Sequence, residues 1–280
     1  MSRDVRIRRL DDQWLVHFRA DAPANLGFGL SDAALQAFVG FGAGLPTSSV
    51  PADRRGRMLP LTQAGMLIGT GYRLGGTPVA VGLDEIQGLR QAIPVDATGM
   101  LELETLLLYL LARENQLRGA VVELGSYMGG STIALGLGAM RSRHRNPVVA
   151  VDDHEWHRHV AGQVSPDAIA RLPSTLPTLE RNLANAGLSE AVSVVVADTA
   201  AASSEVGEPV SLLLVDAGHD ARALRADIDA WLPKVASGGI VAFHDYHNSA
   251  WPDVERTVDE ARATFAEFVS YQTLAIARMP

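Results

Sequence analysis

Short apolar runs alternate with longer segments of helical periodicity over most of the chain after about residue 96. The apolar runs are about six residues long and rich in β-branched side chains, which favours buried strands over buried helices. They occur at 119–124, 147–152, 191–196, 210–216 and 238–244. Helical segments are predicted at about 130–141, 174–187, 219–234 and 253–266. Strands that alternate with helices in this order predict an α/β domain with a mostly parallel sheet covered on both faces.

The C-terminal end of the chain breaks this alternation. The segments "EFVSYQ" and "LAIARM" are adjacent strand candidates with no helix between them, which predicts an antiparallel hairpin at the edge of the sheet. The complete prediction is a Rossmann-like, doubly wound, mostly parallel seven-stranded sheet with an antiparallel C-terminal hairpin. We assign residues 96–280 to this domain.

Residues 1–95 form a smaller α+β region, which we expect to be a lid or a contact between copies of a homo-oligomer. Its start predicts a hairpin, because "VRIRRL" and "WLVHFRA" flank a "DD" turn. A short helix is predicted in "SDAALQAFVGFGAGL", capped by Ser31 or Asp32, and a loop or lid in the proline-rich "PTSSVPADRRGRMLP". Further helices are predicted at "LDEIQGLRQA" and at 100–116.

Charge and composition exclude several classes of function. The formal net charge is −8 and the basic residues are scattered, whereas a nucleic-acid surface needs clustered lysine and arginine. The sequence contains no cysteine, which excludes disulfides, thiolate zinc sites and cysteine nucleophiles. The first residues lack the apolar core of a signal peptide, and no window approaches the roughly 20 apolar residues of a membrane helix. We therefore expect a cytoplasmic protein with neither a nucleic-acid nor a membrane partner.

A glycine-rich turn follows the first strand of the predicted sheet, in "VVELGSYMGGSTIALG" (residues 121–136). Ligands of open parallel sheets bind beyond the carboxyl ends of the strands. Gly125 and Gly129 allow the main chain there to approach a ligand, and the following helix offers unpaired N–H groups. The spacing is not the G-x-G-x-x-G of dinucleotide sites, and a P-loop is excluded because the only lysine is Lys234. The alternative is a turn that merely packs the helix on the sheet.

The order E-x-G-x-x-x-G-x-S from Glu123 to Ser131 resembles motif I of class I S-adenosylmethionine-dependent methyltransferases. The resemblance implies that Glu123 lies near the methionine amino group, that Ser131 contacts the methionine carboxylate, and that Tyr127 packs along the cofactor. It also places Ser126 and the two glycines of the turn in the cofactor site. S-Adenosylmethionine is therefore the expected cofactor.

Acids also end the next strands at the same edge of the predicted sheet. Asp152 ends the second strand, and the resemblance assigns to it both ribose hydroxyls, which one carboxylate has enough acceptor positions to bind. Asp198 follows the third strand, and the resemblance assigns to it the adenine amino group. Asp153, Thr199 and, at the end of the fourth strand, Asp216 are expected beside the cofactor as well.

The D-x-x-H of "VDAGHDAR" and the H-D-Y of "VAFHDYHN" resemble a branch of small-molecule methyltransferases, several of which O-methylate sugars or natural products. The resemblance covers roughly residues 100–278. Methyl transfer to a hydroxyl requires the acceptor oxygen to be in line with the methyl group and its proton to be removed. The expected reaction is therefore O-methylation of a hydroxylated small molecule in secondary metabolism.

Two aspartates in these segments form a candidate metal site. Asp216 and Asp245 end neighbouring strands, and two carboxylates in one crevice suit Mg²⁺ or another divalent cation. The catechol-type O-methyltransferases, which the glycine turn also resembles, carry ligating aspartates at both places, followed by an asparagine where this chain has Tyr246. His244 is the candidate third ligand, although strand alternation directs it away from Asp245 unless the strand has ended. In the alternative, Asp216 caps the next helix and Asp245 only lines the crevice.

His219 follows Asp216 by three residues, where the catechol-type branch carries the basic residue that removes the substrate proton. Histidine titrates close to neutral pH and therefore serves as a base there. We predict His219 and Asp216 as catalytic residues; the alternative for His219 is a bond to a nearby loop. Trp251 and Tyr246 are predicted either to line the acceptor pocket or to cover the core.

The segment "DDHEWHRHV" contains His154, His157 and His159. His154 and His157 would share one face of a helix, but the H-E-x-x-H spacing of zinc sites is absent. A loop that lines the pocket is favoured over a transition-metal site. Trp156 in the same segment is expected to cover the adenosine or to stack on the acceptor.

Other functions would use the same fold. A non-methylating enzyme, which catalyses a cyclisation or elimination on a natural product, would keep both the fold and the cofactor. Retention of Asp216, His219 and Asp245 favours methylation, because a repurposed pocket does not need this set. The acids at three cofactor strand ends disfavour a binding protein with a vestigial pocket, and the glycine spacing disfavours an NAD-dependent dehydrogenase.

Overall fold

The structure, a computed structural model, describes residues 4–10, 13–19, 27–30, 83–94, 96–156, 167, 170, 172–207 and 209–280. The predicted helix at 31–45, the predicted loop at 46–60 and the histidines at 157 and 159 lie outside the described residues. The chain divides into two compact units, Met1–Gln91 with Leu101–Leu110 and Ala92–Met100 with Leu111–Pro280.

The first unit contains a small antiparallel sheet. Its strands β1 (Asp4–Leu10), β2 (Gln13–Arg19) and β3 (Gly27–Leu30) lie in sequence order. The first two form the predicted hairpin, with Ile7 opposite Val16. Most of the predicted helices α1 (Leu83–Ala92) and α2 (Glu102–Arg113) also belong to this unit.

The second unit contains the predicted α/β domain. Its strands are β4 (Ala120–Leu124), β5 (Val148–Asp152), β6 (Val192–Val196), β7 (Val210–Val215), β8 (Val235–Phe243), β9 (Glu267–Tyr271) and β10 (Leu274–Arg278). Its helices include α3 (Gly130–Arg141), α4 (Leu176–Asn185), α5 (Ala221–Trp231) and α6 (Pro252–Ala261). In the described part of the chain, no helix combines the length and the apolar character needed to cross a membrane.

The seven strands form one sheet in the order β6-β5-β4-β7-β8-β10-β9. Strands β4 to β8 pair in parallel, whereas β10 is antiparallel to both β8 and β9. This arrangement confirms the predicted parallel sheet with a C-terminal antiparallel hairpin. The strand order reverses at β4, which pairs with β5 on one side and β7 on the other. In sheets of this type, a crevice for ligands opens at that reversal.

The central strands are apolar throughout because helices cover both faces of the sheet. Val121 and Val122 on β4 and Leu213 on β7 are completely buried, and so is Trp231 on α5. Tyr246, just after β8, also belongs to this core, and its hydroxyl donates to Oδ1 of Asp259 over 2.8 Å. Of the two positions predicted for Tyr246, the core position is therefore correct.

Candidate active site

The glycine turn after β4 is packed against the main chain of its neighbours. The amide of Gly125 donates to the Val151 carbonyl over 2.8 Å, and its φ of +88° is in the left-handed region. A Cβ at this position would lie 2.3 Å from the carbonyl oxygen of Asp216. Gly129, with φ +94°, is the N-cap of α3, and a Cβ there would lie 2.6 Å from Cδ1 of Leu179. Both positions therefore require glycine.

A cavity of about 680 Å³ lies at the carboxyl ends of these strands. Many of the residues predicted from sequence line it: Gly125, Tyr127, Asp152, Asp153, Asp198, Thr199, Asp216, His219, His244 and Asp245. Trp156 and Trp251 line it as well. The other predicted cofactor residues, Glu123, Ser126, Gly129 and Ser131, are not among the lining residues that the structure describes. All four of these residues are buried.

The acids predicted to hold the ribose and the adenine are fixed by main-chain donors. Asp152 accepts the amide of Tyr127 at Oδ2, over 2.8 Å, and the amide of His154 at Oδ1, over 2.6 Å. Asp198 accepts the amide of Ala201 at Oδ1 over 3.0 Å. An ionised carboxylate has about four acceptor positions, so both acids retain acceptor capacity for a ligand.

Glu123 is fully buried below the start of α3. Its Oε2 accepts the Thr132 hydroxyl over 2.5 Å, and Ser131 is a further hydrogen-bond partner. Oε1 has no hydrogen-bond partner among the described residues. Burial raises the pKa of Glu123 from 4.5 to about 8 despite these hydrogen bonds. The side chain is therefore mostly protonated at neutral pH, and its predicted role near the methionine amino group stays a prediction.

Replacing Glu123 by glutamine should stabilise the protein by an amount that grows as the pH rises from 4.5 to about 8. In this range the folded protein retains a proton that the unfolded chain releases, so the contribution of Glu123 to stability is present below pH 4.5 and is lost towards pH 8. Glutamine has no such loss. One pKa unit corresponds to about 1.4 kcal/mol, so the difference should reach a few kcal/mol. Urea unfolding across this range measures it, and parallel curves for the two proteins would contradict it.

Two aspartates and two histidines meet at the ends of β7 and β8. Nε2 of His219 lies 2.7 Å from Oδ2 of Asp245 and 3.9 Å from Oδ1 of Asp216. Nδ1 of His244 lies 3.0 Å from Oδ1 of Asp216 and 3.4 Å from Oδ2 of Asp245. Ligand atoms of Asp216, His219 and Asp245 all lie within 4.8 Å of one another. We call these four residues the Asp–His cluster.

The main chain after β8 brings His244 and Asp245 into the same cluster. Strand β8 ends at Phe243, and Asp245 has a left-handed φ of +59°. Strand alternation therefore no longer applies, and the sequence-based objection to His244 is removed. The alternative role of Asp216 as a helix cap is wrong, because Asp220 caps α5 by accepting the amides of residues 222 and 223.

Neighbouring groups set the charge of Asp245 and the orientation of His219. Burial alone would raise the pKa of Asp245, but hydrogen bonds from His219, His244 and the Asn248 amide hold it well below its ordinary value. Asp245 is therefore ionised and stabilises positive charge on an adjacent imidazole. The ring of Trp251 stacks on His219 with centroids 4.6 Å apart and planes 28° apart.

Some cavity residues were missed from sequence. Asn248 donates from Nδ2 to Oδ1 of Asp245 over 2.6 Å, but the asparagine of the catechol-type branch corresponds to Tyr246 and gave no signal for it. Asp96, Thr98 and Gly99 also line the cavity. Their segment carries no motif, and its position depends on a long-range bond from the Gly130 amide to the Ala97 carbonyl over 3.0 Å.

One solved structure supports this fold, and two further ones show weaker similarity. Cofactor-bound Rv0187 from MTB is 20% identical, with a TM-score of 0.50, and the match covers 79% of this chain and 97% of that protein. The O-methyltransferase NovP is 20% identical over 71% of this chain and 81% of its own, with a TM-score of 0.47. An O-methyltransferase from Bacillus cereus in complex with SAH is 16% identical over 70% and 90% of the two chains, with a TM-score of 0.47.

A family profile described as "Methyltransferase domain" matches residues 122–246. The matched range begins in β4 and ends just after β8, so it includes the glycine turn, the acids at the ends of β5 and β6, and the Asp–His cluster. The strand order, the cavity and this match agree with the resemblance seen in the sequence. Residues 122–246, a little under half of the chain, thus match a methyltransferase domain.

Proposed function

We propose that this protein transfers the methyl group of S-adenosylmethionine to a hydroxyl of a small molecule, a sugar or another natural product. One observation carries the proposal: the Asp–His cluster lies in the same cavity as the acids Asp152 and Asp198. A base and ionised carboxylates beside a cofactor site are what a protonated hydroxyl acceptor needs. The resemblance of the D-x-x-H and H-D-Y segments to small-molecule O-methyltransferases supports the same acceptor class.

The cofactor would lie across the carboxyl ends of β4, β5 and β6. Asp152 and Asp198 would accept hydrogen bonds from the ribose and the adenine, and Asp153 and Thr199 lie beside them on the cavity wall. Gly125, Ser126, Tyr127 and Gly129 would hold the amino-acid end, with Glu123 and Ser131 beneath. The unfilled acceptor capacity of Asp152 fits two vicinal hydroxyls.

His219 is the proposed general base. Its Nε2–H donates to the ionised Asp245 over 2.7 Å, so Nδ1 would take the acceptor proton and Asp245 would stabilise the imidazolium that forms. The stacked ring of Trp251 limits rotation of the imidazole and forms part of the wall against which an acceptor would pack. Oδ1 of Asp216, at the end of β7, adds negative charge 3.9 Å from the same nitrogen. The chain's own residues therefore orient the base and compensate its charge.

The same cluster would hold a divalent cation, through the carboxylates of Asp216 and Asp245 and Nδ1 of His244. The donor set fits, because oxygen ligands suit Mg²⁺ and an imidazole suits other divalent cations such as Mn²⁺ or Zn²⁺. When bound, the cation would supply Lewis acidity that lowers the pKa of an acceptor hydroxyl. His219, the fourth member of the cluster, would remain the base.

Methyl transfer from labelled S-adenosylmethionine to catechols, phenols or sugars should be measurable, and it should fall at least about tenfold after chelation and return with Mg²⁺ or Mn²⁺. The acceptor panel is incubated with the purified chain, and the label is located on the product by mass spectrometry. Binding of S-adenosylhomocysteine, measured by calorimetry in the same preparation, provides the control for an intact cofactor site.

The outcomes separate the parts of this proposal. Label on nitrogen or carbon would contradict the hydroxyl acceptor. Full activity in the presence of chelator would contradict the cation while leaving His219 as the base. Failure of the folded protein to bind S-adenosylhomocysteine would contradict the cofactor site itself.

A further inference from the structure

The carboxylate of Asp152 is held between two loops. Its Oδ2 accepts the Tyr127 amide of the glycine turn, and its Oδ1 accepts the amide of His154, two residues further along the chain. Both donors are main-chain groups, so the orientation of the carboxylate depends on the backbone conformation of the two loops. The conformation at His154 therefore determines how one of the two oxygens is presented to the cavity.

His154 adopts a backbone conformation that bulky residues rarely adopt. Its φ is +56°, in the left-handed region, and such strain persists only where surrounding contacts fix it. The side chain is 1% exposed, and burial lowers the pKa of the ring so that it is neutral at neutral pH. Nε2 has no hydrogen-bond partner among the residues that the structure describes. Among the described residues, this buried ring therefore makes a single hydrogen bond.

That hydrogen bond joins Nδ1 of His154 to the hydroxyl of Thr175 over 2.8 Å. Thr175 is completely buried and precedes α4 at its N-cap position, yet its side chain makes no capping hydrogen bond to the helix. Its amide donates instead to the His154 carbonyl over 3.3 Å. The usual role of an N-cap threonine is therefore replaced by two contacts to His154.

Helix α4 also holds the other loop. Nδ2 of Asn182 donates to the carbonyl of Met128 in the glycine turn over 2.9 Å, and the Leu179 side chain packs where Gly129 has no Cβ. One helix thus contacts both loops that donate to Asp152. The distance between the two donors is set by a single rigid element.

We propose that His154 and Thr175 are positioning residues for Asp152: their contact holds residue 154 in its left-handed conformation and thereby aims the carboxylate at the ribose of the cofactor. Neither side chain has to touch the ligand for this role. The inference rests on the proposed cofactor site and adds a source of ribose specificity outside the cavity wall.

The test compares the affinities of S-adenosylhomocysteine and its 2′,3′-dideoxy analogue in wild type and in Thr175→Val, by calorimetry. Two hydrogen bonds to a charged carboxylate should give the wild type a preference of about 100-fold or more for the hydroxylated ligand. The preference should fall about tenfold in Thr175→Val, while affinity for the dideoxy analogue stays unchanged. Thr175→Ser keeps the hydroxyl and should therefore keep the wild-type preference for the hydroxylated ligand.

Each result decides a different point. Equal losses of affinity for both ligands in Thr175→Val would overturn the inference, since they would indicate a general structural role. An unchanged preference would overturn it as well. If the valine variant does not fold, Thr175→Ala removes the same hydroxyl with less bulk and is read in the same way. A wild type that binds neither ligand overturns the proposed cofactor site, whereas binding without ribose preference overturns the role of Asp152 and this inference with it.

Discussion

Replacement of His219 by alanine should lower the turnover number by about 100- to 10,000-fold, the range typical of a lost general base, with little change in the affinity for S-adenosylhomocysteine. The imidazole lies 2.7 Å from the ionised Asp245 and is stacked on Trp251, so its removal leaves the acceptor proton without an oriented base. Turnover is measured with the acceptor found in the labelling assay, and cofactor affinity is measured by calorimetry.

His144→Ala is the matched control for this prediction. His144 is partly exposed, contacts the carbonyl of Gln116 over 3.1 Å and is not among the cavity residues, so the same change there should leave turnover within about twofold. Partial recovery of the His219→Ala enzyme in added imidazole would support proton transfer. Equal turnover in the two variants would show that the base lies elsewhere.

Replacement of Gly125 by alanine should reduce the free energy of unfolding by about 2–5 kcal/mol and abolish measurable cofactor binding. The new Cβ would lie 2.3 Å from the carbonyl oxygen and 2.6 Å from the carbonyl carbon of Asp216, both of them main-chain atoms. The collision is relieved only if the glycine turn and the end of β7 move apart. This movement displaces both the glycine turn and the Asp–His cluster. Urea unfolding and calorimetry measure the two effects.

Gly187→Ala separates the collision from the cost of the left-handed conformation. Gly187 has a φ of +71°, but nothing lies within 4 Å of the Cβ it would carry, so this variant should lose only about 1 kcal/mol. The difference between the two variants then reports the contact with Asp216. Similar losses in both would mean that the close packing beneath the turn contributes nothing.

The sheet could be predicted from sequence because its signals are local. The strands are continuous apolar runs, as in "SLLLV" of β7, and glycine marks the turn after β4. The acids that line the cavity were found because carboxyl ends of parallel strands meet at one edge. Asp152, Asp198, Asp216 and Asp245 all line the cavity for this reason.

The remaining features depend on contacts between distant parts of the chain. From sequence, His154 was predicted to line the pocket or to bind a metal. In the structure its ring is buried and contacts the hydroxyl of Thr175, 21 positions away. Tyr246 follows Asp245 directly but turns into the core, because the left-handed conformation at Asp245 redirects the chain. Neither a left-handed backbone conformation nor a hydrogen-bond partner that is distant in sequence leaves a pattern in the local composition. The role of residues 1–95 and an oligomeric assembly stay predictions.

Both loops that donate to Asp152 are attached to α4, and this affects how the protein would lose ligand binding on heating. Regions of a protein open locally as cooperative groups of contacts, and Thr175, Leu179 and Asn182 tie the two loops to one such group. Fraying of this single helix would therefore release both loops that donate to Asp152 in the same event.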